Sequence, residues 1–118
     1  LNKSIIDNNI NNISNSRLSS NEVSDLFMGK SFRRMGDINL SDYDFTHVLV
    51  DPPRSGLDDK TIEIIKNFEN IIYISCNPKT YINNIKHLKS HTIEYIELFD
   101  QFPNTDHLEI ISLLRKVI

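Results

Sequence analysis

The chain has 118 residues, 39% of them hydrophobic, and a formal net charge of −3, which indicates one modest domain or part of one. Its single cysteine excludes an internal disulfide framework and any zinc site built from several cysteines, and it favours a reducing, cytoplasmic location. No apolar run approaches the roughly 18 residues that span a bilayer, so we expect no membrane partner, and the negative charge indicates no bulk attraction to nucleic acid.

The N-terminal part of the chain is predicted to hold two helices and a long connection. Residues 3 to 13 place isoleucines at helical spacing. The stretch "NEVSDLFMG" predicts a short helix that Asn21 caps and Gly29 ends, and residues 30 to 45 show no clean period. The chain does not begin with Met, which suggests a piece of a longer protein.

Strands and helices alternate in the next part of the chain. The apolar run "HVLV" is stopped by Asp-Pro-Pro and predicts a strand that ends at Asp51. A helix follows in "LDDKTIEIIKNF", and "NIIYIS" predicts a second strand. The stretch "PKTYINNIKHLK" predicts another helix, with Asn77 as its cap. Its apolar face is predicted to consist of four residues at the helical period, Tyr81, Ile82, Ile85 and Leu88.

Two final strands, "TIEYIELF" and "LEIISLLRKV", are separated by the loop "DQFPNTDH" with no helix between them. This order predicts an α/β fold whose sheet is mostly parallel, with a final antiparallel strand. Open sheets of this class bind ligands beyond the carboxyl ends of their parallel strands. Two stretches fall at such ends, Asp51-Pro52-Pro53-Arg54 and Cys76-Asn77-Pro78.

Cys76 lies between the end of a strand and the start of a helix. The unpaired N–H groups and the dipole of a helix N-terminus favour an anion, so a thiolate at Cys76 could act as a nucleophile. A cysteine that fills the core is the other interpretation. Asp51 likewise either ends its strand and caps the next segment of chain, or projects from the rigid corner that the two prolines make.

Glu109 lies one residue into "LEIISLL", where a carboxylate is costly unless it faces water or a partner. An outward-facing strand position near the end would explain it too. His107 fits an ordinary loop histidine, and because no spacing of cysteine and histidine supports a metal site, we expect no metal. Arg54 could be a solvated surface charge.

Three stretches, in this order and at this spacing, closely resemble the uracil-5-methyltransferases of RNA: "HVLVDPPRSGLD", "IIYISCNPKT" and "LFDQFPNTDHLE". The resemblance covers nearly the whole chain and is strongest from about residue 41 onward. Within the family, "DPPRSGLD" and "FDQFP" look most like the tRNA (uracil-5-)-methyltransferase branch, which makes ribothymidine in the T-loop.

The resemblance implies a Rossmann-like methyltransferase domain that uses S-adenosyl-L-methionine and has tRNA as its partner. Cys76 then corresponds to the nucleophile that adds to carbon 6 of the uracil, and Glu109 to the base that removes the proton from carbon 5. Asp51 corresponds to the acidic residue that the family places against the cofactor. Arg54 is a candidate for holding the uracil or stabilising its oxyanion.

One departure from the family concerns the cofactor site. The family begins that site with a glycine-rich loop after its first strand, whereas none of the three glycines here, Gly29, Gly36 and Gly56, lies in such a loop. We therefore expect residues 1 to 118 to be the C-terminal part of the methyltransferase catalytic domain, without that loop and without the RNA-binding N-terminal region. We expect this part alone to be inactive.

Other functions stay open beside this one. A uridine 5-methyltransferase of ribosomal RNA would share the motifs. An adenine amino-methyltransferase would explain Asp51-Pro52-Pro53 but has no use for Cys76, and a non-catalytic α/β binding module would explain the negative charge. No oligomeric state is predicted.

Overall fold

The computed structural model describes residues 1–117 and divides into two units, residues 1–43 and the part that begins at Asp44. The first unit is formed by short helices alone. They are the α-helices α1 (Asn2–Asp7) and α2 (Ser20–Phe27) and the 3₁₀ helices Arg33–Met35 and Leu40–Asp42. The connection predicted for residues 30 to 45 therefore contains two single turns of helix.

The helix predicted for residues 3 to 13 ends early, at Asp7. The side-chain amide of Asn8 donates to the Ser4 carbonyl at 2.8 Å, and Asn9 takes a left-handed backbone with a φ of 52°. Asparagine tolerates that conformation and competes for backbone hydrogen bonds. The Asn-rich stretch therefore stops the helix although the isoleucine spacing continues.

The cap of α2 is Ser19, and the prediction of Asn21 is wrong. The Ser19 hydroxyl accepts from the Glu22 N–H at 3.3 Å, and the Ser19 N–H donates to the Glu22 carboxylate at 2.8 Å. This reciprocal pair is a capping box, which satisfies two N–H groups at once and so outcompetes an asparagine two residues later. Gly29 follows the end of the helix, as predicted, with a φ of 98° that L side chains rarely adopt.

The second unit has the predicted alternation of strands and helices. Its elements are β1 (His47–Val50), α3 (Asp59–Ile65), β2 (Asn70–Ser75), α4 (Pro78–Ile85), β3 (His91–Phe99) and β4 (Glu109–Lys116). Asn77 caps α4 as predicted, because its side-chain oxygen accepts from the Lys79 N–H at 3.2 Å and Pro78 occupies the first turn. Asp58 caps α3 in the same way, through the Thr61 N–H at 2.8 Å.

The four strands form one sheet in the order β1-β2-β4-β3. β1 pairs with β2 in parallel, and β4 lies between β2 and β3 and is antiparallel to both. Three strands therefore run in one direction and the last runs against them, which confirms the predicted mixed α/β sheet. Because β4 enters between β2 and β3, β1–β2 is the one parallel ladder within residues 1–117.

The core lies between α3, α4 and one face of the sheet. Side chains alternate along β2 and β4, so that every second one is buried against the helices. The buried cluster contains Ile62, Ile65, Ile71, Tyr73, Tyr81, Leu88, Ile110 and Leu114. The helices are too short to be stable by themselves, so this burial holds them in place.

The buried face of α4 differs from the predicted one at one residue. Ile82 is 54% exposed, whereas Asn84 is only 8% exposed. Tyr81 and Ile85 fix the inward direction of α4, and at 3.6 residues per turn that direction includes position 84 and not position 82. The helix ends at Ile85, so Leu88 reaches the core from the turn that follows. The apolar pattern missed Asn84 because a buried amide is tolerated only where it finds hydrogen-bond partners.

We expect Leu114→Ala to lower the free energy of unfolding by about 2–5 kcal/mol, because it leaves a cavity in the core. Leu113 is the matched control, since it adjoins Leu114 on β4 but lies half-buried on the other face of the sheet. Leu113→Ala should cost clearly less in urea unfolding followed by circular dichroism. Equal losses would contradict this assignment of the core face.

Candidate active site

Three loops converge on one edge of the sheet. Residues 51–58 follow β1 and Cys76 follows β2, and because these strands are parallel, both carboxyl ends lie at that edge. β4 runs against β2, so its first residue, Glu109, lies there as well, preceded by residues 100–108. The edge is the place where open α/β sheets bind their ligands.

The register of the sheet places Cys76 and Glu109 near each other. Ser75 is the last residue of β2, and its partner on β4 is Ile110. Cys76 follows Ser75 and Glu109 precedes Ile110, so each lies one residue beyond that pair. Cys76 is a free cysteine, and both residues are partly exposed. The register therefore brings a thiol and a carboxylate to the same edge of the sheet.

Asp51 and Arg54 lie on the loop after β1, and both are exposed. Asp51 follows Val50, whose partner Tyr73 is three residues before Cys76. The Arg54 carbonyl accepts from the Asn77 side-chain amide at 2.9 Å and from the Thr80 hydroxyl at 3.1 Å. The loop that carries Asp51 and Arg54 is thus bonded to the start of α4, directly after Cys76.

The Arg54 side chain reaches the third loop. Its Nη1 bonds to Nδ1 of His107, and since a guanidinium only donates, His107 accepts at Nδ1 and carries its proton on Nε2. The His107 ring also meets Phe102 edge-to-face, with ring centroids 5.9 Å apart. The sequence pattern predicts an ordinary loop histidine at position 107. The one feature of the sequence that points to a role at the site is that His107 lies two residues before Glu109.

A buried hydrogen bond joins β2 to α4. Tyr73 is fully buried and donates from its hydroxyl to Oδ1 of Asn84 at 2.7 Å. Burial raises the pKa of Tyr73 to about 12, with smaller contributions from the charges of Tyr81 and Cys76. Tyr73 is therefore a neutral donor throughout the physiological range, and its partner Asn84 is the residue that the sequence pattern missed.

Within residues 1–117, no group of three or more histidine, cysteine, aspartate or glutamate side chains could hold a metal ion. No helix among these residues is long and apolar enough to cross a membrane.

A family model described as tRNA (Uracil-5-)-methyltransferase matches residues 2–117. The chain belongs to this family. A tRNA/tmRNA (uracil-C(5))-methyltransferase of Campylobacter jejuni subsp. jejuni is 54% identical over 112 residues, which are 93% of this chain and 31% of that protein. One of Pseudoalteromonas atlantica is 53% identical over 111 residues, 92% of this chain and 30% of that protein. The chain thus spans about a third of the length of these curated relatives.

A solved structure also resembles this member of the tRNA (uracil-5-)-methyltransferase family. The tRNA (uracil-54, C5)-methyltransferase of Pyrococcus abyssi, in complex with S-adenosyl-L-homocysteine, matches with a TM-score of 0.55 and 37% identity. The match covers 60% of this chain and 18% of that one. It supports the α/β methyltransferase fold predicted from the sequence.

The stability of the chain should fall between about pH 10 and pH 12, partly because of Tyr73. In this window the unfolded chain loses the phenol proton while the folded chain keeps it, so the stabilisation present below pH 10 is lost as the pH rises. Tyr73→Phe lacks the group and should show a shallower fall in urea unfolding across the window. Tyr81, whose pKa burial also raises, is present in both proteins and contributes to the fall in both curves. Parallel curves would contradict the raised pKa.

Proposed function

We propose that the protein to which this chain belongs methylates carbon 5 of a uridine in the T-loop of tRNA, through a covalent adduct between Cys76 and carbon 6. The observation that carries the proposal is the β2–β4 register, in which Cys76 and Glu109 each lie one residue beyond the Ser75–Ile110 pair. Membership of the tRNA (uracil-5-)-methyltransferase family supports the reaction class. A tRNA substrate also accords with the cytoplasmic location predicted from the single cysteine.

The chemistry requires a nucleophile because carbon 5 of uracil is too weakly nucleophilic to attack a methyl donor directly until a thiolate adds at carbon 6. In the proposed first step, the Cys76 thiolate forms a bond to carbon 6, and the π electrons of the 5,6 double bond move onto carbon 5 and the 4-carbonyl oxygen. Arg54 is a candidate for stabilising that oxyanion, because its guanidinium lies at the same edge and is steadied by His107.

S-adenosyl-L-methionine would supply the methyl group to carbon 5 in this chemistry and would leave as S-adenosyl-L-homocysteine. Among the residues described, Asp51 fits the cofactor, because its exposed carboxylate follows a parallel strand at the ligand-binding edge. The chain has no glycine-rich loop that could hold the cofactor. We therefore propose that further contacts to the cofactor come from outside these 118 residues. Asp51 would accept hydrogen bonds from polar groups of the cofactor.

The last step restores the aromatic base. Once carbon 5 carries both a methyl group and its original proton, Glu109 takes that proton. The electron pair of the broken C–H bond then re-forms the 5,6 double bond, and the Cys76 sulfur leaves as thiolate. The half-exposed setting of Glu109 suits this task, since the base must reach the ring and afterwards release the proton to water.

The target uridine must leave its stack to reach this edge. A base inside a paired or stacked segment cannot present carbon 6 to a thiol and carbon 5 to a methyl donor at the same time. We therefore propose that the base enters the site flipped out or from an open loop of the RNA.

Substitutions in the full-length enzyme should separate the two roles. Cys76→Ala should abolish methylation and also the covalent complex with 5-fluorouridine-containing tRNA, because no thiolate attacks carbon 6. Glu109→Gln should instead form the covalent complex with ordinary tRNA and release it slowly, because the proton on carbon 5 stays. Denaturing gel electrophoresis of the protein–RNA complex measures both.

Glu63→Gln is the matched control for Glu109→Gln, since Glu63 lies on α3 and pairs with Lys66 directly after the end of that helix. It should leave methylation and release unchanged. Methylation by Cys76→Ala would contradict the covalent mechanism and favour an amino-methyltransferase. A wild-type protein that forms no adduct would favour a non-catalytic binding module. Methylation of ribosomal RNA in preference to tRNA would favour a uridine 5-methyltransferase of ribosomal RNA.

The 118 residues alone should not methylate tRNA, and we propose that they form the C-terminal part of the catalytic domain. Two observations support this: the chain spans about 31% of its relatives' length, and it has no glycine-rich loop. Purified residues 1–118, assayed with radiolabelled S-adenosyl-L-methionine and tRNA beside the full-length enzyme, should give no transfer. Turnover by the 118 residues would contradict the expectation.

A further inference from the structure

A single buried amide joins the loop after β1 to α4. Nδ2 of Asn84 donates to the Leu57 carbonyl at 3.2 Å, and Oδ1 of Asn84 accepts from the Leu57 N–H at 2.8 Å. Both polar groups of one loop residue are therefore held by one side chain, as they would be by a neighbouring strand. Asn84 is 8% exposed, so water does not readily replace either bond.

The same amide is bonded on its other side to the strand that leads to Cys76. Oδ1 of Asn84 also accepts from the Tyr73 hydroxyl at 2.7 Å, and Tyr73 lies fully buried on β2, three residues before Cys76. Asn84 lies on α4, which begins two residues after Cys76, so the two Leu57 bonds attach the loop of Asp51 and Arg54 to the helix that follows Cys76. The Tyr73 bond satisfies the buried hydroxyl and adds to the stability of this cluster.

Gly56 shows how closely the loop approaches α4. A Cβ at this position would lie 2.6 Å from Oδ1 of Asn84 and 3.0 Å from Cβ of Thr80, which no side chain could occupy without displacing them. The φ of Gly56 is also positive, at 80°. The loop can make its two bonds to Asn84 only because glycine precedes Leu57.

We propose that Asn84 is a positioning residue, which holds residues 51–57 at a fixed distance from Cys76 and so aligns Asp51 and Arg54 with the thiol. The inference rests on the proposed methyltransferase function. The Arg54 carbonyl has its own bonds to Asn77 and Thr80 near the start of α4, whereas Asn84 holds both backbone groups of Leu57 one turn further along the same helix. Loss of the amide would let the loop shift, and a shift of about 1 Å can lower a rate about 100-fold.

The test uses the full-length enzyme and 5-fluorouridine-containing tRNA, with the rate of covalent adduct formation as the readout. Asn84→Ala should lower that rate at saturating tRNA by about tenfold or more, with a much smaller change in the KM for tRNA. Measurements at a temperature well below every variant's Tm exclude unfolding as the cause.

Tyr73→Phe is the matched control within the same cluster. It removes the buried hydroxyl that bonds to Asn84 but leaves both Leu57 bonds in place. It should lower the Tm yet keep the adduct rate within about twofold of wild type, because the loop stays attached.

Gly56→Ala provides a second, independent disturbance of the same contact. It should reproduce the slow adduct formation of Asn84→Ala although Asn84 itself is unchanged, because the added methyl group displaces Oδ1. Gly29→Ala is its control: Gly29 has a positive φ of 98°, but a Cβ there meets nothing within 4 Å. Gly29→Ala introduces a similar backbone strain and should leave the adduct rate unchanged.

The outcomes are distinct. Equal losses of rate in Asn84→Ala and Tyr73→Phe, or wild-type rates in Asn84→Ala and Gly56→Ala, would overturn the positioning role while the methyltransferase function stands. A wild-type enzyme that forms no adduct would overturn the proposed function, and the positioning role with it.

Discussion

The antiparallel pairing of β2 with β4 is the interaction on which the rest of the second unit depends. It buries Ile71 and Tyr73 beside Ile110 and Leu114, and so supplies the apolar surface on which α3 and α4 pack. The same ladder sets the chemistry, because its last pair, Ser75 with Ile110, leaves Cys76 and Glu109 one step beyond. A slip of the register by one residue would turn the buried side chains outward. The same slip would move Cys76 and Glu109 apart. The packing of the core and the geometry of the candidate site therefore depend on the same β2–β4 register.

The polar side chains at the sheet edge divide into those that face the substrate and those that hold the loops. Asn77, Thr80 and Asn84 all make hydrogen bonds to the backbone of residues 54–57, so none of them needs to touch a ligand to influence the site. His107 belongs to neither class alone. It accepts a hydrogen bond from the Arg54 guanidinium, and its ring packs against Phe102. A site on loops gains precision in this way, because the loops are bonded to a rigid helix and strand.

Periodicity and turn chemistry predicted most of the fold. The strands of the second unit are short apolar runs with clear stops, and Asn77 with Pro78 marks the start of α4, so the sequence predicts these elements. The sequence does not predict the position of β4 between β2 and β3, because strand order depends on long-range pairing that no local pattern records. In the first unit, the capping box at Ser19 and the left-handed Asn9 overrode the simpler expectations. Among the site residues, Cys76, Glu109, Asp51 and Arg54 came from motifs, whereas Asn84 was hidden by its polarity among apolar neighbours.

The insertion of β4 between two strands that precede it in the chain has a consequence for folding. Within the described residues, β3 pairs with β4 alone, so β3 cannot join the sheet until β4 has arrived. Pairing of β2 with β4 closes a long loop, and contacts between distant residues form late and slowly. Until β4 pairs with β2, Cys76 lies at the end of β2 without Glu109 beside it. Nucleophile and base thus meet only in the completed sheet, which ties reactivity to the final step of assembly.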